Sequence, residues 1–258
     1  MATARELLTA RIFLRAVLPV IKVLVEDDPK RRKQFAGFTA TIQFVAKDDA
    51  GPVGAYIRFD DGQFSTGCEI ADNPDITFRF SSVAKMNALF AGKPVIPSIK
   101  GLTKVGTLIK AFSLLLGLKI LMPNAKPKTP ALAALKVKMT LYMVSTALSQ
   151  LNKSGDPDMM KWTSRQPERI YQWSCEPEGI ACYLRVKAGK TQAGRGYYTR
   201  RKPFVHMRFN GVDGALPVLS NSVDTVQAMS KGYVVSDGSP EYAGQLGDFM
   251  LKIANLVT

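Results

Sequence analysis

The sequence predicts an α+β protein made of two tandem copies of one module, each a mostly antiparallel five-stranded sheet with helices packed on one face. Two observations lead to this prediction. The stretch PDITFRF, residues 74–80, recurs as PFVHMRF, residues 203–209, and the two prolines are 129 positions apart, which is half of the 258 residues. On either side of the proline-rich stretch PNAKPKTP the order of elements is the same: helix, four strands, helix, strand, helix. We therefore predict a first domain over 1–122, a linker over 123–130 and a second domain over 131–258.

The first copy opens with a helix over residues 5–25, whose apolar face is wide and whose charges are too frequent for a membrane span. Four strands follow, in FTATIQFVAK, VGAYIRFDDG, QFSTGCEIAD and DITFRF, and Asp61-Gly62 is a hairpin turn signal. We expect these strands to form an up-and-down meander. A helix capped by Ser81 or Ser82 and ended by Gly92 comes next, then a short extended piece and a final helix over 107–122.

The second copy repeats this order with one addition. Its opening helix begins in PALAALKVKM, and its four strands lie in RIYQWSCEP, GIACYLRVKAGK, TQAGRGYYTRR and PFVHMRFNG. The stretch VDGALPVL after the fourth strand is interpreted as an insertion, and SNSVDTVQAMSKG as the helix that matches SSVAKMNALFAG in the first copy. A strand in YVVSDG and a last helix in PEYAGQLGDFMLKIANLV complete the copy.

The alternating residues of the repeated strand assign its two faces. In the first copy Ile76, Phe78 and Phe80 share the face expected to pack on the core. In the second copy Val205, Met207 and Phe209 take this face, which places His206 on the opposite face, where the first copy has Thr77. A Ser–His or Cys–His dyad requires a histidine that faces a cleft, so the alternation disfavours catalysis by His206, the single histidine of the chain.

The composition disfavours a metal site and most enzyme classes. The three cysteines, Cys68, Cys175 and Cys182, have no metal-like spacing, and we interpret them as reduced thiols of a cytoplasmic protein. The motifs GxxxxGK[ST], GxSxG and HExxH are absent from the sequence. We therefore predict no metal, no cofactor and no catalytic residues.

The net charge of +14 is compatible with nucleic acid, an anionic membrane surface or an acidic ligand. The excess divides almost evenly between the halves of the chain: 19 − 11 = +8 over residues 1–128 and 16 − 10 = +6 over the rest. The one dense run, over 30–33, stands beside acidic residues and is typical of a solvated helix end or loop. Nucleic-acid binding is therefore disfavoured, and contact with an anionic membrane surface stays open.

The helix predicted over 107–122 is apolar almost all round, which is unusual for a surface helix. Leaving such side chains exposed costs roughly 1.5–3 kcal/mol each, so we expect something apolar to cover the helix. Three interpretations stay open: the helix fills a core between domains, it lines and closes a lipid tunnel, or it dips into a membrane interface.

Two stretches of the first copy resemble the sterol carrier protein type 2 family of non-specific lipid-transfer proteins. The stretch PDITFRFSSVAKMNALFAGKP resembles the strand and helix that end in the family's Gly-Lys motif, and SIKGLTKVGTLIKAFSLLL resembles the segment that follows it. The match extends over about residues 36–122 and is weaker over 165–257, where SKGY replaces the Gly-Lys ending and the strand lacks its lysines.

The resemblance implies two sterol-carrier-like domains, the second divergent, that hold an apolar ligand between sheet and helices. The expected function is non-catalytic binding and transfer or presentation of a sterol, fatty acyl chain, acyl-CoA or isoprenoid, in the cytoplasm and peripherally at membranes, with a partner enzyme as one recipient. The alternatives are an accessory interaction module with filled cavities and a subunit of a lipid-modifying enzyme. The candidate ligand-binding residues are Phe78, Phe80, Met86, Leu89, Phe90, Leu108, Phe112, Leu115, Leu116, Met207, Phe209, Met229, Phe249 and Met250.

Overall fold

A computed structural model describes residues 1–257, with Thr225 described by its backbone only. It is an α+β structure with two five-stranded mixed sheets, as predicted. The chain divides into two compact units, a first that includes Met1–Met122 and a second that includes Pro123–Asn255. The last residue of the predicted second domain, Thr258, lies outside the described residues.

The sheet of the first unit is built around a central strand, β1, which pairs antiparallel with β2 and parallel with β4. The order across the sheet is β3-β2-β1-β4-β5, and the two outer pairs are antiparallel. The predicted meander is therefore wrong, because the fourth strand crosses the sheet to pair with the first strand instead of the third. The strands are β1 (Ala40–Ala46), β2 (Val53–Asp60), β3 (Gln63–Gly67), β4 (Ile76–Phe80) and β5 (Ser98–Lys100).

The sheet of the second unit has the same order and the same strand directions. Its central strand, β6, pairs antiparallel with β7 and parallel with β9, which gives the order β8-β7-β6-β9-β10. The outer pairs are again antiparallel. The strands are β6 (Arg169–Glu176), β7 (Ile180–Lys187), β8 (Lys190–Arg195), β9 (Val205–Asn210) and β10 (Val234–Gly238).

A buried glutamine holds the crossover segment of each unit against the outer face of the sheet. Gln43 accepts a hydrogen bond of 2.6 Å from the backbone N–H of Ala71. Gln172, 129 positions later, accepts one of 2.9 Å from the backbone N–H of Tyr198. Both glutamines lie on central strands and are at most 5% exposed. Since a buried amide is costly without partners, each crossover supplies a bond that its sheet requires.

The hairpin between the second and third strands is also duplicated. Asp61-Gly62 and Ala188-Gly189 both have positive φ at both positions, with φ of 46° and 80° in the first pair and 46° and 79° in the second. This is the type I′ geometry that two-residue hairpins favour, so the predicted turn is confirmed.

A second feature of this hairpin recurs in both units. Tyr56 lies opposite Gly67 in the strand ladder, and Tyr183 lies opposite Gly194. In each pair the tyrosine ring occupies the space where a Cβ on the glycine would stand. The ring therefore covers the gap that the glycine leaves on the sheet.

Between Met1 and Met122 the first unit has five α-helices. α1 and α2 are joined by a π-helical turn, Phe13–Val17, and a 3₁₀ turn, Leu18–Val20, so the predicted helix over 5–25 is one nearly continuous helical segment. Pro19 lacks a backbone N–H, which explains why regular α-helical bonding is interrupted here. The helices are α1 (Ala4–Ile12), α2 (Ile21–Asp27), α3 (Pro29–Phe35), α4 (Val83–Phe90) and α5 (Val105–Leu118).

The described part of the second unit also has five α-helices, and one of them corrects the predicted alignment of the two copies. The predicted insertion is α8, which directly follows β9 and packs against α6, as α4 follows β4 and packs against α1. The counterpart of α4 is therefore α8, and α9 is the added helix. The helices are α6 (Pro130–Lys153), α7 (Pro157–Ser164), α8 (Gly211–Leu219), α9 (Thr225–Ser230) and α10 (Pro240–Val257).

Two of these helices bear on the sequence predictions in other ways. By length and composition α6 could cross a membrane, but 56% of its most apolar window is buried, as in the core helix of a soluble domain. The short helices α3 and α7 were not predicted, and the run over 30–33 forms α3. Both begin with the same pair, Asp28-Pro29 or Asp156-Pro157, in which the aspartate caps the helix and proline takes its first position.

Candidate hydrophobic-ligand site

The helix-facing side of each sheet is apolar, as the alternation predicted. In the first unit Ile76, Phe78 and Phe80 are at most 3% exposed. In the second unit Val205 and Phe209 are equally buried, whereas Met207 is partly exposed. The inner faces of the two sheets are therefore both apolar, but the helices bury the inner face of the second sheet less completely.

The interior of the first unit is filled by a row of phenylalanine rings, the phenyl row, made of Phe13, Phe90, Phe44, Phe78 and Phe112. Successive ring centroids are 5.4, 5.4, 5.1 and 5.7 Å apart. Four of the rings are buried, and Phe112 at the end of the row is 42% exposed. Phe78, Phe80, Met86 and Phe90, predicted to bind a ligand, therefore lie in a packed aromatic core.

The other candidates of the first unit lie at the edge of this core, most of them on α5. Leu108 and Leu115 are partly exposed, Leu116 is 60% exposed, and Leu89 on α4 is partly exposed. The inner face of α5 packs through Ala111, Leu114 and Leu118, which are buried. The outer face of α5 remains exposed among the described residues, so the apolar cover expected for this helix does not come from them.

Contacts from α3 and from Phe38, which follows it, hold α5 in place. Arg31 donates from Nη1 to the backbone oxygen of Ser113 at 2.8 Å and to its Oγ at 2.9 Å. Lys110 places its Nζ 4.0 Å from the centroid of the Phe38 ring, a cation–π contact. Burial lowers the pKa of Arg31, although nearby Asp28 partly offsets this effect.

The interior of the second unit differs at the two central positions. In the first unit Phe44 and Phe78 are neighbours in the parallel ladder, and in the second unit Trp173 and Met207 take these places. Trp173 is 1% exposed, and its Nε1 has no hydrogen-bond partner among the described residues. A buried N–H without an acceptor costs about 1–3 kcal/mol. Tryptophan in place of phenylalanine thus adds a polar atom to which no described residue offers a hydrogen bond.

The remaining candidates of the second unit are dispersed. Phe209 is buried on β9, Phe249 on α10 is 9% exposed, and Met250 is partly exposed. Met229, on the added helix α9, is 47% exposed. The sheet and α10 therefore supply candidates to the interior, whereas Met229 lies on the surface.

Contacts from α7 hold α10, as contacts from α3 hold α5. Trp162 donates from Nε1 to Oε1 of Gln245 at 2.7 Å, and its ring lies 5.5 Å from that of Phe249. Lys252 forms an ion pair of 2.6 Å with Asp156, whose side chain is 7% exposed. The C-terminal helix of each unit is thus tied to the short helix that an Asp-Pro pair begins.

The outer face of the second sheet carries a polar cluster that the sequence analysis missed. Ser174 Oγ and His206 Nε2 are 2.9 Å apart, because β6 and β9 are parallel neighbours. Glu176 accepts from Ser174 at 3.3 Å and from the Tyr197 hydroxyl at 3.0 Å. Ser174 is completely buried, so its hydroxyl is not accessible to a substrate. Burial, with a contribution from Arg208, lowers the pKa of His206, which favours a neutral imidazole in this bond.

Arg208, on the same outer face, forms an ion pair of 2.7 Å with Asp237. The cysteines are free thiols, with Cys68 exposed and the other two buried. Burial raises the pKa of Cys175 and Cys182 to about 12, which makes both thiols poor nucleophiles. Among the described residues there is no group of His, Cys, Asp and Glu side chains that could hold a metal ion.

A cavity of about 510 Å³ lies in the first unit at the N-terminus of the chain. Its lining is largely charged or hydroxylated and includes Glu6, Lys47, Asp48 and Ser82. The N-terminal ammonium group pairs with Asp49, and Ala2 donates its N–H to Asp48 at 2.6 Å. This cavity contains none of the predicted ligand-binding residues, and its lining combines charged residues with apolar ones such as Pro52 and Val83.

Comparison with known proteins gives little. No family model matches the chain, and no curated protein matches it. Among solved structures, a double mutant of the sec-alkyl sulfatase PisA1 matches at 14% identity with a TM-score of 0.28. The stereoselective inverting sec-alkylsulfatase Pisa1 from Pseudomonas sp. matches at 13% identity with a TM-score of 0.26. Both matches cover 56% of this chain and 28% of the sulfatase chain, and at these scores they support no inference.

Proposed function

We propose that this chain is a non-catalytic carrier that binds a hydrophobic molecule in its second unit and presents it to a membrane or a partner enzyme in the cytoplasm. The observation that carries the proposal is the buried indole N–H of Trp173, which has no acceptor among the described residues. A ligand that brings one acceptor into an apolar interior would satisfy this donor. Sterols, fatty acyl chains, acyl-CoA and functionalised isoprenoids each combine an apolar body with such an oxygen.

The surroundings of Trp173 support this proposal. Met207, its neighbour in the ladder on the same face, is partly exposed, whereas its counterpart Phe78 is completely buried. A methionine side chain repacks readily around ligands of different shape. α10, which carries Phe249 and Met250, is held to α7 by a few polar and ring contacts. A ligand could enter beside α10 by displacing these contacts, and the strand pairing of the sheet would stay intact.

The test is native mass spectrometry of the purified chain, followed by organic extraction and identification of the co-purified molecule. We expect about one apolar ligand per chain. We also expect Trp173→Phe, which installs the ring type found in the first unit, to weaken binding of a fluorescent fatty acid by about 2–10-fold, the worth of one hydrogen bond. Binding of a plain alkane should not change.

Trp162→Phe is the matched control, because it makes the same chemical change at an indole that already has a partner in Gln245. It also leaves Trp173 as the one fluorescent indole, whose emission should change when ligand is added. A chain that co-purifies without ligand and binds no fluorescent fatty acid would disprove the proposal.

A second function is favoured by the packing of the first unit. Its phenyl row fills the space between sheet and helices, so this unit suits the role of an accessory interaction module with a filled interior. Saturation at two ligands per chain would exclude this role for the first unit.

A further inference from the structure

The outer face of α5 carries an exposed apolar strip, the α5 stripe, made of Val105, Ile109, Phe112 and Leu116. These side chains are 59, 62, 42 and 60% exposed. Their spacing of four, three and four residues places them on one side of the helix, opposite the buried Leu114 and Leu118. A contiguous exposed apolar surface on a folded domain is typical of an interaction site.

The sequence stretch that contains the stripe carries charge of one sign, and Asp75, which pairs with Lys104, lies just before it. Residues 76–155 contain 12 lysines and arginines and no aspartate or glutamate, which accounts for 12 of the net 14 positive charges. Seven of these cations lie within 76–122, in the unit that contains α5. Lys104 precedes α5 and Lys119 follows it, and both are exposed. Apolar residues on one face with lysines at its margins are typical of a helix that lies in a membrane interface.

We propose that the α5 stripe docks the protein on an anionic lipid bilayer, with Val105, Ile109, Phe112 and Leu116 in the acyl boundary and the flanking lysines on lipid phosphates. Charge complementarity selects this occupant. A second copy of the chain docked through the same stripe would bring two acid-free segments together, and like charges would repel each other. A nucleic acid would satisfy the lysines but would leave the apolar stripe exposed to water.

The proposal deepens the proposed function, on which it rests for its purpose, because a carrier of apolar ligands must reach a membrane to load or unload. The docking helix also connects to the interior of its unit. Phe112 belongs both to the stripe and to the phenyl row, since its ring lies 5.7 Å from that of Phe78. Insertion of the stripe into a bilayer would therefore place in the membrane a ring that also contacts the core.

The test is flotation of the purified chain with vesicles of phosphatidylcholine alone and of phosphatidylcholine mixed with phosphatidylserine. We expect binding to the mixed vesicles, weakened by salt, and little binding to the neutral ones. Ile109→Ser combined with Leu116→Ser should weaken binding to the mixed vesicles at least about tenfold, because two apolar side chains leave the interface. Leu251→Ser is the matched control, since Leu251 on α10 is 52% exposed and lies outside the stripe; it should bind like the parent.

The lysines are tested in the same assay. Lys119→Gln should weaken binding to the mixed vesicles about fivefold, whereas Lys190→Gln, an exposed lysine at the hairpin of the second unit, should leave it unchanged. Urea unfolding of each variant checks that the surface changes leave the fold intact.

Absence of binding to mixed vesicles would overturn the proposal, as would equal binding by the double-serine variant. A dimer that the double-serine change converts to a monomer, without vesicle binding by the parent, would assign the stripe to a second copy and equally overturn it. Vesicle binding without a co-purified ligand would leave docking in place and remove the carrier function. A co-purified ligand without vesicle binding would do the reverse.

Discussion

The two units have sheets of the same topology, but they differ in the side chains that they place on the inner and outer faces of those sheets. In the first unit Phe44 stacks on Phe78, and a helix beside them turns an apolar stripe outwards. In the second unit Trp173 and Met207 take these places, and the indole N–H of Trp173 has no acceptor among the residues that the structure describes. The outer faces differ as well, because Val45 and Thr77 of the first unit correspond in register to Ser174 and His206 of the second.

The positions that did not diverge are those that the backbone requires. Gln43 and Gln172 hold the crossovers, the type I′ hairpins have the same signs of φ, and a tyrosine covers a glycine in each unit. The interior side chains, which the backbone does not dictate, changed instead. The two units therefore agree in the features that the backbone requires and differ in the side chains of their interiors.

The largest expected effect tests whether equivalent glycines of the two sheets contribute equally to the free energy of unfolding. Gly101 directly follows β5 and Gly238 ends β10, with φ of 92° and 102°, and a Cβ at either would overlap a carbonyl oxygen, that of Asp75 or of Phe204. We expect Gly101→Ala and Gly238→Ala to lower the free energy of unfolding of their own units by a similar amount, about 3 kcal/mol. Urea unfolding followed by circular dichroism measures both.

A helical glycine provides the control for this comparison. Gly244→Ala in α10 meets no atom within 4 Å and should be neutral or slightly stabilising. A cost at Gly238 without one at Gly101 would show that the two scaffolds are not equivalent.

An intermediate effect is expected from the two helix-capping aspartates. Asp156 caps α7 through Met159 N–H at 3.0 Å and also pairs with Lys252, and its side chain is 7% exposed. Asp28 caps α3 through Lys30 N–H at 3.0 Å, and its side chain is 24% exposed. We expect Asp156→Ala to cost about 2 kcal/mol and Asp28→Ala about 1 kcal/mol, because the ion pair of Asp156 with Lys252 at 2.6 Å is closer, and its carboxylate more buried, than the pair of Asp28 with Arg31 at 3.5 Å. Thermal and urea unfolding measure both.

The asparagine variants separate the two contributions. Asparagine caps helices as well as aspartate does, so Asp28→Asn should restore most of the loss, whereas Asp156→Asn should restore only the capping part. Equal losses for the two alanine variants would contradict the assignment of Lys252 to Asp156.

The smallest effect concerns pH and the polar cluster that only the second unit has. The pKa of His206 is lowered by burial, so between its folded value and about 6.5 the unfolded chain binds more protons than the folded chain. The stability from neutral His206 is therefore complete above about pH 6.5 and declines as the pH falls through this window. Urea midpoints measured across it should fall for the parent and fall less for His206→Thr, which installs the residue of the first unit.

A pH dependence of stability in this window can be assigned to His206 because His206 is the single histidine of the chain. Parallel pH profiles for the parent and His206→Thr would mean that His206 does not carry this dependence. The threonine variant should also remain folded at neutral pH, since Thr77 occupies the same place in the first sheet.

The sequence predicted the order of elements and the faces of the repeated strand because both follow from local periodicity. It did not predict that β4 pairs with β1, since the crossover in CEIADNPD carries no pairing signal of its own. The same error hid the contact between Ser174 and His206, which are 32 residues apart and meet only through parallel pairing. Helix α8 was mistaken for an insertion because Pro217 and two glycines interrupt its pattern.

The candidate site was predicted only in part. Aromatic and aliphatic residues on the sheet were correctly expected to face the helices, but packing density cannot be read from residue types, so the filled phenyl row was not foreseen. The orphan donor of Trp173 depends on which neighbours fail to reach it, which is a property of the assembled core. The balance of charge between the two halves concealed the acid-free stretch, which lies across the midpoint of the chain.

That stretch, residues 76–155, also lacks histidine and cysteine. Histidine is the side chain that ordinarily changes its charge between about pH 5 and 8, so this stretch carries no pH switch of that type. Counter-ions are one control on its charges, because at physiological salt they screen exposed charges beyond about 8 Å. The attraction of residues 76–155 for phosphate groups should therefore weaken as the ionic strength rises.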